Sequence, residues 1–239
     1  NGGNGVSYLG FVNGETASVL SGTLSYGGTA QGAIIVGSYT IIPSGLSSGN
    51  YTIGYVNGTL SINKAALLVK AVDASRAYGQ SNPVFSATFT GLVNGEQTNV
   101  LGGDLVLSTT AETNSPVGTY PIEVSGVTSD NYEITFQDGV LTVTPYALTV
   151  KADDKAKVYG ESDPAFTVSY TGFVNGDTAT KLDHAVVLGT TASAASPVGT
   201  YPITASAATS GNYDITFLPG TLVVTKAALM ITADNKTKI

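Results

Sequence analysis

Ser115-Pro116-Val117-Gly118-Thr119-Tyr120-Pro121-Ile122 recurs, 81 residues on, as Ser196-Pro197-Val198-Gly199-Thr200-Tyr201-Pro202-Ile203. The same interval relates Asn131-Tyr132-Glu133-Ile134-Thr135-Phe136 to Asn212-Tyr213-Asp214-Ile215-Thr216-Phe217. Gly91-Leu92-Val93-Asn94-Gly95-Glu96 has copies on both sides, at Gly10–Glu15 and Gly172–Asp177. No insertion or deletion is needed to hold this register. A period this long is too large for a solenoid coil and suits one small module per repeat. The modules divide as 1–64, a first repeat lacking its first strand; 65–145 and 146–226, two complete repeats; and 227–239, the first strand of a fourth.

Within the copy from Ala66 to Thr144 the pattern is that of strands and turns. Leu67, Val69 and Ala71 alternate along a first strand that Tyr78-Gly79 breaks. A second strand runs from Pro83 and Phe85 through Phe89 to Leu92. Asn94–Leu101 predicts a short helix with Asn94 near its N-cap and Gly102-Gly103 at its end. Further strands follow at Leu105–Leu107, Gly118–Val124, where Pro121 marks an edge or a bulge, and Tyr132–Phe136. Asp138-Gly139 reads as a hairpin turn leading into a last strand, Gly139–Thr144. Aliphatic positions stay in phase across copies, as a shared core requires: Ile41, Ile122 and Ile203; Leu60, Leu141 and Leu222. Tyr120 and Tyr201, like Tyr132 and Tyr213, recur beside turn signals. They read as half-buried rings with satisfied hydroxyls rather than as a sugar-binding platform.

Composition narrows the function. Charged residues are 11% of the 239-residue chain and the net charge is −7, so no basic stripe is available for phosphates and nucleic acid is not an expected partner. The surface is left to Ser, Thr, Asn and Gly. Cysteine is absent, which excludes disulfide staples, thiolate metal sites and cysteine nucleophiles. No apolar run is long enough to predict membrane insertion.

No catalytic constellation is expected. His184 is the single histidine and aligns with Gly22 and Gly103, so the module works without it. No cofactor is expected either. The one metal the acids suggest is calcium, to which Asp153-Asp154 would contribute between modules; Asp73, Asp154 and Asn235 align, and solvated turn carboxylates are the plainer reading. A Lys–Asn crosslink needs a buried lysine in phase, but Lys70 and Lys151 align with Thr232.

Leu148–Gly160 with Tyr159-Gly160 at its end, then Asp163-Pro164-Ala165-Phe166 and Gly172–Asp177, resembles the MBG repeat of YGX type, as do Pro197–Ile203 and Asn212-Tyr213. The resemblance spans essentially the whole chain. It rests on Tyr78, Gly79, Pro83 and Phe85 in one copy and Tyr159, Gly160, Pro164 and Phe166 in the next. The first copy departs from it: Tyr26-Gly27 aligns with Leu107-Ser108, and Asn4 stands where Phe85 and Phe166 stand.

The resemblance implies a β-grasp-like module, in keeping with the strand–strand–helix–strands order, and no enzymatic residues. The fold class expected is therefore mainly β, in tandem small β-grasp-like modules with one short helix each; immunoglobulin-like sandwich modules are the alternative. It also implies an extracellular setting, in long bacterial surface or secreted proteins of adhesin type. The function expected is a structural repeat region, a stalk or filament, whose partners are neighbouring repeats. One alternative is direct binding of a host or surface glycan or protein, first sought where copies differ most, Leu101–Thr113 with Leu182–Ala194 and Tyr39–Gly49 with Tyr120–Asp130. Another is a fibre subunit in which 227–239 of one copy adds as a strand to the first repeat of the next.

Overall fold

The computed structural model describes residues 5–238; Asn4 and Ile239 lie outside them. The first repeat contributes β1 (Ser21–Gly27), β2 (Gly37–Ser47) and β3 (Gly58–Ile62). The second contributes β4 (Ala65–Ala71), β5 (Ala74–Ala77), β6 (Ala87–Thr90), β7 (Val106–Ser108), β8 (Gly118–Ser125), β9 (Tyr132–Gln137) and β10 (Gly139–Thr144). The third repeats that order as β11 (Tyr146–Ala152), β12 (Lys155–Val158), β13 (Val168–Thr171), β14 (Val187–Thr190), β15 (Gly199–Ser206), β16 (Tyr213–Leu218) and β17 (Gly220–Thr225). The protein is mainly β, in small tandem sheets.

Contacts gather the chain into two compact units. One holds the chain through Lys70 with Ala87–Val106 and Val124–Gln137; the other holds Ala71–Ser86, Leu107–Glu123 and the chain from Asp138 onward. The second repeat thus contributes to both, beside the first repeat in one unit and the whole third repeat in the other.

The third repeat displays the module in full. Its sheets run β13-β11-β16 and β12-β17-β15-β14. The first strand of the sequence reading is two strands, β11 and β12, bent at Asp153-Asp154. β16 and β17 are likewise two halves of one run, bent at Pro219. The halves pair in parallel, β11 with β16 and β12 with β17, without losing register: Leu148 pairs with Ile215 and Lys155 with Leu222, a separation of 67 residues on both sides of the bend (215 − 148 = 222 − 155 = 67). One bent parallel ribbon therefore supplies the middle of one sheet and part of the other. Alternation does the rest. Leu148, Val150 and Ala152 from β11 meet Ile203 from β15 and Leu222 from β17, all at most 1% exposed. Burying such side chains is worth roughly 1.5–3 kcal/mol each.

Three expectations change. Asp138-Gly139, with its counterpart Pro219-Gly220, is no hairpin, because the strands on either side of the bend join different sheets. The glycine is required there for space: a Cβ on Gly220 would lie 2.4 Å from the Ala152 carbonyl oxygen. The expected helix is a single 3-10 turn of three residues, Thr98–Val100 in the second repeat and Ala179–Lys181 in the third, burying no residue. Asn94 is not its N-cap. Asn94 and Gly95 take φ of 56° and 75°, and the Glu96 amide donates to the Val93 carbonyl at 3.0 Å. Two successive left-handed residues make a tight primed turn, a geometry that Asn-Gly favours. Residues 226–238 form no strand.

Pro202, the equivalent of Pro121, sits in β15 one position past Ile203, the last residue paired with β14. Its missing N–H falls where the strand is locally an edge.

Candidate functional site

Some of the recurring residues lie where the second repeat meets the third. In the second unit, Tyr78-Gly79 leaves the end of β5 and docks on the third repeat. The Tyr78 amide is held by the Thr144 carbonyl at 2.8 Å and the Gly79 amide by the Thr113 carbonyl at 3.1 Å. The Tyr78 ring, 5% exposed, meets Tyr213, 3% exposed, edge to face at 5.5 Å and 82°. Phe173 also meets Tyr213 edge to face, at 5.3 Å and 89°. Such edge-on pairs add about 0.5–1.5 kcal/mol to what burial alone gives.

The tight turn Val174-Asn175-Gly176-Asp177 places an amide and a carboxylate beside these rings. The Val174 amide donates to the Tyr213 hydroxyl at 3.2 Å, and that hydroxyl donates to Asp177 Oδ2 at 2.7 Å. The Tyr78 hydroxyl donates to the same oxygen at 3.0 Å. Burial pushes the Tyr213 phenol up to about 12; the Val174 amide opposes this and the Asp177 carboxylate adds to it. Gly79, at φ +80°, is pressed against the turn, and a Cβ there would lie 2.3 Å from Val174 Cγ2. Asn212 adds a backbone tie by accepting the Val117 amide on Oδ1 at 3.0 Å.

The first unit holds the same tie one period earlier, where Asn131 Oδ1 accepts the Val36 amide at 3.0 Å. There Tyr132 donates to Glu96 Oε2 at 2.5 Å and accepts the Val93 amide at 3.0 Å. In the first repeat Tyr51 donates to Glu15 and accepts the Val12 amide. The carboxylate bond raises both of these phenols. Sequence reasoning saw these tyrosines and turns but did not connect them. The available signal was an acid at the end of each Asn-Gly turn, in phase with each Asn-Tyr.

The remaining signature residues have local roles. The Tyr120 hydroxyl donates to the Pro116 carbonyl at 2.8 Å and that of Tyr201 to the Pro197 carbonyl at 2.9 Å. Phe85 and Phe166 are half-buried, with Pro164 partly covered and Pro83 exposed. Tyr159 is exposed, and no atom lies within 4 Å of where a Cβ on Gly160 would be.

The acids raised for calcium are occupied otherwise. Asp154 Oδ1 accepts the Thr221 amide at 2.7 Å and Asp73 Oδ1 the Val140 amide at 2.9 Å, closing the ladder where the ribbon bends. Hydroxyls of Ser169 and Thr167 hold the Asp153 carboxyl below its ordinary range. Among the described residues no three His, Cys, Asp or Glu side chains gather as a metal would require. His184 is exposed, its Nδ1 2.6 Å from Thr209 Oγ1. Lys70 is half-buried and Lys151 exposed. The buried lysine is instead Lys157, paired with Asp163 at 2.7 Å. Among the described residues no helix is long and apolar enough to cross a membrane.

No curated protein matches the chain. A family model, MBG domain (YGX type), matches residues 2–61, 67–142 and 148–223, one stretch per period. The chain belongs to the MBG domain (YGX type) family, which it carries as three tandem copies.

Proposed function

We propose that this chain is a stalk or filament segment of a bacterial surface adhesin, holding a binding region away from the cell or contributing to adhesion through its length. The modules are the periods 1–64, 65–145 and 146–226, and the working partners are neighbouring repeats. The observation that carries the reading is the repeated tie, Val36 to Asn131 and Val117 to Asn212, each at 3.0 Å. A flexible tether has no use for the same part-buried tie at two successive joints, whereas a spacer that must keep its length does. The family is in keeping with this role. The test is a pair of spin labels at exposed strand positions in the second and third repeats, Thr119 and Thr200, introduced as cysteines into a chain that has none. A narrow distance distribution is expected. A distribution as broad as that of a disordered linker overturns the reading.

A second reading is direct recognition of a glycan or protein by the modules. It is favoured by the meeting of the two stretches that differ most between copies. Gly102 and Thr128, one from each stretch, exchange backbone hydrogen bonds of 2.9 and 2.8 Å. Glycan-array binding that is lost when this strip is exchanged between copies would move the function there.

A further inference from the structure

The ladder between the two bent ribbons of the third repeat is parallel along its whole length. β11 pairs with β16 at six positions, from Tyr146 with Tyr213 to Lys151 with Leu218. β12 pairs with β17 at four, from Lys155 with Leu222 to Val158 with Thr225. Single bonds extend it at both ends. The Tyr146 amide donates to the Asn212 carbonyl at 3.0 Å, and the Tyr159 amide to the Thr225 carbonyl at 2.9 Å. At the bend, Asp154 Oδ1 takes the Thr221 amide at 2.7 Å.

Each ribbon has its own hold on the rest of the module. β11 is the central strand of its sheet and is bonded to β13, while β17 has β15 on its far side. β16 and β12 are edge strands, each held in its sheet through the opposite ribbon. The parallel ladder is what joins one ribbon to the other.

The chain enters this module at Pro145, just before β11, and leaves it at Lys226, just after β17, one period later (226 − 145 = 81). Because the ribbons are parallel, these two points lie at opposite ends of the ladder. Tension along the chain draws β11–β12 towards its start and β16–β17 towards its end. The rungs are then sheared together and share the strain. The antiparallel pair of β15 and β17 is arranged the other way. Gly199 faces Val224, so Val198 and Lys226 emerge at the same end, and pulling them apart opens the pair rung by rung. The second repeat keeps both halves of the parallel arrangement. Leu67 pairs with Ile134 and Ala74 with Leu141, again 67 residues apart (134 − 67 = 141 − 74 = 67), and Asp73 takes the Val140 amide.

We propose that each complete module is a clamp against tension, formed by the parallel ladder between its first and last ribbons. One hydrogen bond in water is weak, but rungs that must fail together are not. What such a clamp governs is the rate of unfolding under force rather than equilibrium stability. The inference rests on the stalk reading for its use, since a spacer between a cell and its target is pulled from both ends. It is tested inside one module, whereas the stalk reading is tested between two, so either can fail alone.

Optical tweezers on the full 239-residue chain, with DNA handles on paired cysteines, make the test. Pro145→Cys/Lys226→Cys pulls the third repeat as its place in the array does. Val198→Cys/Lys226→Cys pulls the antiparallel pair. All three positions are exposed. At one pulling rate the first pair is expected to unfold at a force at least twofold higher than the second, releasing about 270 Å of extended chain. Adding Asp154→Ala is expected to lower the first force and leave the second unchanged. A first force no higher than the second overturns the proposal. So does an Asp154→Ala substitution that leaves the first force untouched or lowers both alike, because resistance then does not reside in the ladder.

Discussion

Tyr78 donates its hydroxyl to Asp177 at 3.0 Å across 99 residues of chain. The same carboxylate oxygen takes the hydroxyl of Tyr213 at 2.7 Å, so one acid collects a tyrosine from each of two repeats. Removing the Tyr78 hydroxyl deletes a bond to a charged acceptor, and Tyr78→Phe is expected to cost about 1.5 kcal/mol. Tyr78→Ala also empties a buried ring site and is expected to cost about 3–5 kcal/mol. A double-mutant cycle of Tyr78→Phe with Asp177→Asn, read by urea denaturation, should show a coupling of about 1 kcal/mol. Strict additivity would mean that the two side chains do not interact in solution.

Gly79 and Gly160 occupy the same place in successive repeats, at φ +80° and +91°. Either one mutated to Ala must place a side chain in the left-handed region, at a cost of about 1 kcal/mol. Only Gly79 also meets Val174, at 2.3 Å, while the site around Gly160 is open. Gly79→Ala is therefore expected to lower stability by at least twice as much as Gly160→Ala. Thermal melts of the two variants under one condition make the comparison, and equal losses would deny the contact with Val174.

The phenol of Tyr213 is raised from its ordinary 10.0 to about 12 by burial, with Asp177 adding to the effect. The fold therefore favours the protonated form. Its contribution is fully present below pH 10 and falls as pH rises towards 12. Tyr51 and Tyr132 shift in the same direction, each through its bond to a carboxylate. The urea midpoint should be flat in Tyr213 ionisation up to about pH 10 and then decline. Tyr213→Phe should make that decline shallower. A variant that loses stability with pH as steeply as the wild type would mean that Tyr213 ionises as easily folded as unfolded.

Much of this architecture is written in local pattern. The phase of Ile122 with Ile203 and of Leu141 with Leu222 marks positions that are all 0% exposed, because alternation reports which face of a strand is covered. What alternation does not report is which sheet a strand joins. Leu148–Val158 reads as one run, and its bend at Asp153-Asp154 shows only in the ladders. The Asn-Gly pair at 94–95 reads as a helix start because Asn also caps helices; its left-handed φ values make it a turn. The joint was hidden for another reason. Tyr78-Gly79 looks like a strand breaker, and its partner lies a whole repeat further on, where no local window reaches.

The buried cation beneath the Tyr-Gly corner gives the last prediction, because the two complete repeats solve one problem with different residues. Lys157 donates to Asp163 at 2.7 Å and to the Ser193 carbonyl at 2.7 Å. At the equivalent place Arg76 donates through Nε to Asn82 at 2.7 Å and reaches the Glu112 carbonyl. The Asp163 side chain is 29% exposed, so stranding it costs less than in a sealed core; Lys157→Met alone is expected to destabilise by about 2–3 kcal/mol. Lys157→Arg with Asp163→Asn rebuilds the pair of the second repeat. The guanidinium keeps its bond to the Ser193 carbonyl and needs no carboxylate, since the neighbouring carbonyl already serves it. The double variant is expected to recover all but about 1 kcal/mol of wild-type stability, and to do so better than Asp163→Asn alone, which leaves a buried ammonium with a weaker acceptor. Denaturation midpoints of the four proteins check this. If the double variant is as unstable as Lys157→Met, the two repeats do not share one packing at this corner.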